Sequence, residues 1–172
     1  EVAAVLITVR ERPHREIRIG VGYSTEEEAQ VKLRWQNENL FGGGQRAAFT
    51  GRYSSLVRSL DASLIQPHLW TRNDRGVLNV SVFQQTERMY TRNSIHARPA
   101  IERHFSVPLM ISLGLQAETA QVRDVDSEVS VLIGGVRNEG VIFGPTFTLE
   151  WSPVDSLIEP TRGWIARLQV ET

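Results

Sequence analysis

The chain has 172 residues, enough for one domain with a core and too few for several. Its 19 Lys and Arg against 20 Asp and Glu give a formal net charge of −1, without the basic excess of a nucleic-acid binder. At 41% hydrophobic and 23% charged it is not of disordered type, and the absence of cysteine removes disulfides, thiolate catalysis and Cys-based zinc sites.

From the first residue onward, no helix signal capable of crossing a bilayer emerges. The longest apolar run is Val2 to Ile7, where a spanning helix needs roughly 18 residues or more. Glu1 and the charged Arg10-Glu11-Arg12 do not fit a signal peptide. A β-barrel crosses with short alternating strands and leaves no such peak, so a membrane role stays open. Val2–Val9 reads as a compact apolar strand, and Glu11-Arg12-Pro13-His14-Arg15 as a charged connector broken by proline. Residues 1–13 are expected to be the tail of a preceding domain, and 14–172 the main sheet.

Period-two alternation then recurs to the end of the chain. A first strand is predicted over Arg15–Tyr23. Val31, Leu33 and Trp35 alternate with Lys32, Arg34 and Gln36; Ala47, Phe49, Gly51 and Tyr53 alternate with Ala48, Thr50 and Arg52. Leu78, Val80 and Val82 follow, then Leu109, Ile111, Leu113 and Leu115, then Phe147, Leu149 and Trp151. A last strand, Gly163–Glu171, alternates Trp164, Ala166, Leu168 and Val170 with Arg167, Gln169 and Glu171. No window of about twelve residues or more convincingly repeats apolar residues three and four apart, as a helix requires. Gly42-Gly43-Gly44, Arg72-Asn73-Asp74-Arg75-Gly76, Val125-Asp126-Ser127 and Asn138-Glu139-Gly140 separate the runs as turns. The chain is therefore all-β, an antiparallel meander of about nine strands. Several strands approach the ~10 residues of a tilted membrane-spanning strand.

Alternation alone does not say which face meets solvent. A soluble barrel or sandwich buries the apolar face, and a membrane barrel turns it to lipid. Aromatics gather toward strand ends (Tyr23, Trp35, Phe41, Tyr53, Trp70, Tyr90, Trp151, Trp164), as interfacial girdles do. Arg18, Arg34, Arg52, Arg98 and Arg167 crowd the polar face, which suits a wet lumen.

No chemistry of catalysis is legible. His14, His68, His96 and His104 lack a nearby carboxylate to complete a metal cluster, and Pro99 is expected to interrupt the strand between His96 and His104. Asp124, Asp126 and Glu128 lack the glycine-pinned spacing of a calcium loop. Gly42-Gly43-Gly44 is followed by no Lys-Ser/Thr, and no serine sits in a nucleophile elbow. The chain is expected to be no enzyme and to need neither metal nor cofactor.

Two longer stretches are more specific. Ile17-Arg18-Ile19-Gly20-Val21-Gly22-Tyr23-Ser24-Thr25-Glu26, followed by Trp35-Gln36-Asn37-Glu38-Asn39-Leu40-Phe41-Gly42-Gly43-Gly44, resembles the opening of the BamA/TamA superfamily of outer-membrane assembly factors. Val5–Pro13 resembles the last strand of that family's final POTRA domain and its link to the barrel. Gln66-Pro67-His68-Leu69 resembles a family strand end, and Glu159-Pro160-Thr161-Arg162-Gly163-Trp164 its Asp-Pro-Thr-Arg-Gly-aromatic turn into a mid-barrel strand. The likeness covers nearly the whole chain in the family's order and lies nearer the TamA branch. The family's Arg-Gly-aromatic lumen loop, its terminal aromatic strand and about half of its roughly sixteen strands have no counterpart. An interior piece of a longer protein is expected.

The resemblance implies an outer-membrane protein of a Gram-negative bacterium that inserts or exports other outer-membrane proteins. Its partners would be outer-membrane lipid, unfolded β-barrel or secreted clients, and a periplasm-spanning TamB-like protein. It also implies a lateral seam beside the first strand, carried by Ile17, Ile19, Gly20, Gly22 and Tyr23. Trp35, Asn39, Leu40, Phe41, Gly42, Pro160, Thr161, Arg162 and Gly163 carry the family motifs. Gly20 and Gly22 contribute no cross-strand side-chain contact, which would loosen that strand or merely relieve crowding and permit curvature. Arg162 would hold the mid-barrel turn through a lumen carboxylate or lie free on the surface. Two other classes stay open: a passive porin-like channel or two-partner secretion pore, and a soluble β-sandwich or lipocalin-like binding module.

Overall fold

The computed structural model describes residues 13–88, 90–106, 108–123, 139–153 and 163–171. The strands are β1 (Arg15–Ser24), β2 (Glu28–Asn37), β3 (Arg46–Tyr53), β4 (Val57–Pro67), β5 (Asp74–Thr86), β6 (Thr91–Ser106), β7 (Leu109–Arg123), β8 (Glu139–Trp151) and β9 (Ala166–Glu171). Each pairs antiparallel with its neighbours in chain order, forming one nine-stranded sheet. The first strand runs one residue further than predicted, and the last begins at Ala166 rather than Gly163.

Register turns the alternation into two chemically distinct faces, because a period of two sends successive side chains to opposite sides. On one face Ile17 lies opposite Trp35, Trp35 opposite Phe49, and Phe49 opposite Ala62. The same face continues through Leu64 and Leu78, Ile101 and Leu113, Leu113 and Phe147, and Leu149 and Leu168. On the other face a single transverse row runs Arg18, Arg34, Thr50, Asp61, Ser81, His96, Glu118.

Pro99 does not interrupt β6. Pairing with β5 passes straight through it, opposite Leu78, while pairing with β7 skips Arg98 and Pro99 and resumes at Ala100 opposite Gly114 without a change of register. Gly114 is what allows this. A Cβ there would sit 2.6 Å from the Pro99 carbonyl oxygen, 2.8 Å from Thr146 Oγ1 and 2.9 Å from Ala100 Cβ. His96 and His104 consequently share one face of a continuous strand. Eight positions apart, they are separated by about 26 Å, too far to share an ion.

Neither face is covered by a second layer among the described residues. Ala47 is the one buried hydrophobic side chain there, while Val21, Phe143 and Leu113 are 83%, 70% and 60% exposed. The chain exposes 13537 Å², against about 8,500 Å² for a compact monomer of its mass. A soluble sandwich would bury its apolar face against a second sheet. Here that face is bare.

Candidate functional site

The bare face is banded. Its middle consists of Ile17, Ile19 and Val21 on β1, Leu60, Ala62 and Leu64 on β4, Ile95 to Ile101 on β6, and Phe143 to Leu149 on β8. Polar side chains appear on it only toward the strand ends, as with Gln84, Asn93, Gln121 and Glu139. The aromatics sort by type. All four tryptophans (Trp35, Trp70, Trp151, Trp164) lie toward the rim where β1 begins, and all three tyrosines (Tyr23, Tyr53, Tyr90) at the opposite rim. Trp151 and Trp164 meet edge to face with ring centres 4.7 Å apart. An apolar band between aromatic girdles is the surface a membrane-spanning barrel presents to lipid.

Turn chemistry fixes the two rims. The Asn37-Glu38-Asn39-Leu40-Phe41-Gly42 segment folds around its asparagines. Buried Asn37 accepts from the Asn39 N–H at 2.9 Å, and Asn39 accepts from the Gly44 N–H at 2.7 Å. The Leu40 N–H donates to the Gln45 carbonyl, and Gly42 and Gly44 supply positive φ of 85° and 76°. Phe41 points outward and is 78% exposed. These two asparagines explain why the motif needs those residue types at that spacing.

The next turn on this rim is held by a buried carboxylate. Asp74 is 2% exposed, receives the Thr71 N–H, and is gripped by Arg103, whose Nε and Nη2 donate at 2.5 and 2.8 Å. His68 takes a φ of 54° and donates its N–H to the Asp74 carbonyl, while Leu69 folds over Gly76. On the opposite rim Arg52 Nη2 donates to both Glu27 oxygens at 2.7 Å, and the Ser55 hydroxyl donates to the Glu27 carbonyl at 2.8 Å, tying two turns together. Neither Asp74–Arg103 nor Glu27–Arg52 was legible in the sequence, since the partners stand 29 and 25 residues apart with no motif linking them.

The polar face is charged. From β5 to β9 its charges are matched across strands: Arg75 with Glu102, Arg92 with Glu118 at 3.5 Å, Arg98 with Glu171 at 3.5 Å, and Arg167 with Glu150 at 2.5 Å. Arg98 also donates to Gln116.

The residues assigned to a seam come together on β1, which has β2 as its one partner among the described residues. Ile17, Ile19 and Tyr23 stand on the apolar face at 66%, 72% and 77% exposure. Gly20 and Gly22 lie on the polar face, opposite Lys32 and Gln30. A Cβ at Gly20 would meet nothing closer than 4.0 Å, whereas one at Gly22 would press on the Gln30 side chain. Among the motif residues, Trp35 belongs to β2, where its ring lies 5.5 Å from Phe49. Asn39, Leu40, Phe41 and Gly42 form the β2–β3 turn. Pro160, Thr161 and Arg162 lie outside the described residues, as do residues 1–12; Gly163 is described beside Trp164.

A nine-stranded antiparallel meander with one bare apolar band between aromatic girdles and one ion-paired polar face is a section of transmembrane β-barrel wall. The particular family follows from the sequence match: the model of the Omp85 superfamily domain covers residues 39–172, and the chain belongs to that superfamily. A similar solved structure is that of BamA from Haemophilus ducreyi lacking POTRA domains 1-3. It superposes with a TM-score of 0.67 at 16% identity over 93% of this chain and 34% of that one. The chain thus spans about a third of the length of this structural relative. No curated protein matches it. Membership places the sheet in the outer membrane of a Gram-negative bacterium, with the apolar band toward lipid and the polar face toward the lumen.

Proposed function

We propose that this chain is part of the barrel wall of an outer-membrane assembly or translocation factor, and that it offers the edge of β1 to incoming client strands. The observation that carries this reading is the character of β1. It is an edge among the described residues, its lumen side is bare at Gly20, and its one ion pair among those residues, Arg18 with Glu16, stays within the strand and is exposed. An edge strand presents unpaired N–H and C=O groups, and a client strand can add to them by β-augmentation. The work is non-enzymatic: the free energy comes from the client's own strand pairing and lipid burial. Outer-membrane lipid, unfolded barrel or secreted clients, and a periplasm-spanning TamB-like protein are the partners of this reading.

The test is reconstitution. Vesicles holding the protein should accelerate folding of a urea-denatured β-barrel client over empty vesicles. Gly20→Val, at a position where an added Cβ meets nothing closer than 4.0 Å, should slow that folding about threefold by firming the β1–β2 pairing. Steady ion conductance with no acceleration of client folding would overturn the reading in favour of a passive channel.

A further inference from the structure

The lumen side of β1 to β3 is charged differently from the rest of the wall. Arg18 lies directly opposite Arg34, and Lys32 directly opposite Arg52. Like charges placed opposite on one face repel. Arg52 is neutralised by Glu27 and Arg18 is partly occupied by Glu16. Lys32 and Arg34 have no ion pair or hydrogen bond among the described residues. The next carboxylate along the Arg34 row is Asp61, beyond Thr50 and about 10 Å away in the sheet. Beside these two cations, Gly20 leaves an open floor on β1.

We infer that this patch selects an acidic strand: a client segment added to the edge of β1 that carries carboxylates at two alternate lumen-facing positions. This rests on the seam reading above. In such a pairing one client residue stands opposite Arg18, where a carboxylate relieves the Arg18–Arg34 repulsion. The residue two positions along stands opposite Gly20. With no side chain between, a glutamate there reaches across the glycine toward Lys32, two strands away. Lys32 and Arg34 are therefore specificity residues, and the glycine opposite Lys32 is what puts it within reach of the added strand. The outward residue between the two carboxylates faces Ile19 and lipid, so it is selected for apolar character alone.

The chain has no cysteine, so one introduced thiol reports pairing without background. Ile19→Cys places it on the outward side of β1, and Val82→Cys, on a strand paired along both edges, is the control. The probes are strand-forming peptides with Glu-Cys-Glu, Gln-Cys-Gln or Lys-Cys-Lys centres, offered under mild oxidation to the protein in lipid nanodiscs. The Glu peptide should cross-link at Ile19→Cys roughly fivefold more than the Gln peptide, each normalised to the Val82→Cys control. The preference should shrink at high salt, where exposed charges are screened. The neutral pair Lys32→Gln/Arg34→Gln should erase it, and Lys32→Glu/Arg34→Glu should turn it toward the Lys peptide. Equal cross-linking of all three peptides above the Val82→Cys level would overturn the charge selection while leaving the seam intact. No cross-linking above that level would overturn the seam and this proposal together.

Discussion

Along β5 to β9 the lumen face neutralises itself strand by strand. Arg75, Arg92, Arg98 and Arg167 each meet a carboxylate on another strand. Along β1 to β3 the same face sets Arg18 against Arg34 and Lys32 against Arg52, with carboxylates at Glu16 and Glu27 serving only two of the four. One part of the wall is finished in its charge pairing; the other is electrostatically incomplete. A sheet uniformly optimised for stability would not be divided in this way, and the unsatisfied part includes β1, which like β9 has one strand partner among the described residues.

The comparison breaks most sharply on the finished side. Leu113 stands mid-band between Ile101 and Phe147 and is 60% exposed on the outward face. Leu113→Arg should destabilise the folded barrel by about 2–4 kcal/mol if it lies at the bilayer midplane. Urea unfolding in vesicles measures this, and an unchanged midpoint would mean the apolar face does not meet lipid.

Asp74→Asn tests the rim rather than the band. The mutant loses the charge that Arg103 and the Thr71 N–H hold, so its unfolding midpoint at neutral pH should drop. Urea unfolding in vesicles measures the loss, and equal midpoints for wild type and Asp74→Asn would show that the ion pair contributes nothing.

What the sequence made legible follows from the range of each interaction. Strand alternation is local, so the strands and the two faces were readable from runs such as Leu109 to Leu115. The Asn37–Gly44 turn was readable as a motif, though not as a pair of side-chain caps. Pro99 misled because its missing N–H is a local fact, whereas its tolerance depends on Gly114 in the next strand. Asp74–Arg103 and the contrast in lumen charge are long-range: they exist only once register has placed distant residues opposite each other. Gly114→Ala sharpens this point. With a carbonyl oxygen 2.6 Å from the new methyl, β6 and β7 must part beside Pro99, at a cost of about 1–3 kcal/mol typical of overpacking. The same unfolding assay reads it, and a neutral result would mean the strands relax there freely.

The smallest expected effect is the most discriminating. Arg34→Leu removes a lumen cation with no partner among the described residues and relieves its repulsion with Arg18, so stability should change by no more than a few tenths of a kcal/mol, with a gain the more natural sign. Arg98→Leu, on the finished side, removes bonds to Gln116 and Glu171 and leaves the Glu171 carboxylate with the Gln169 amide but no counter-charge among the described residues. Its pair is partly exposed, so a loss of about 1 kcal/mol is the expected scale. Measured side by side, the two should differ in sign or by severalfold. Equal losses would mean that Arg34 has a stabilising counter-charge in the closed barrel, and that the patch beside β1 is already filled by the protein itself instead of being held open for a client.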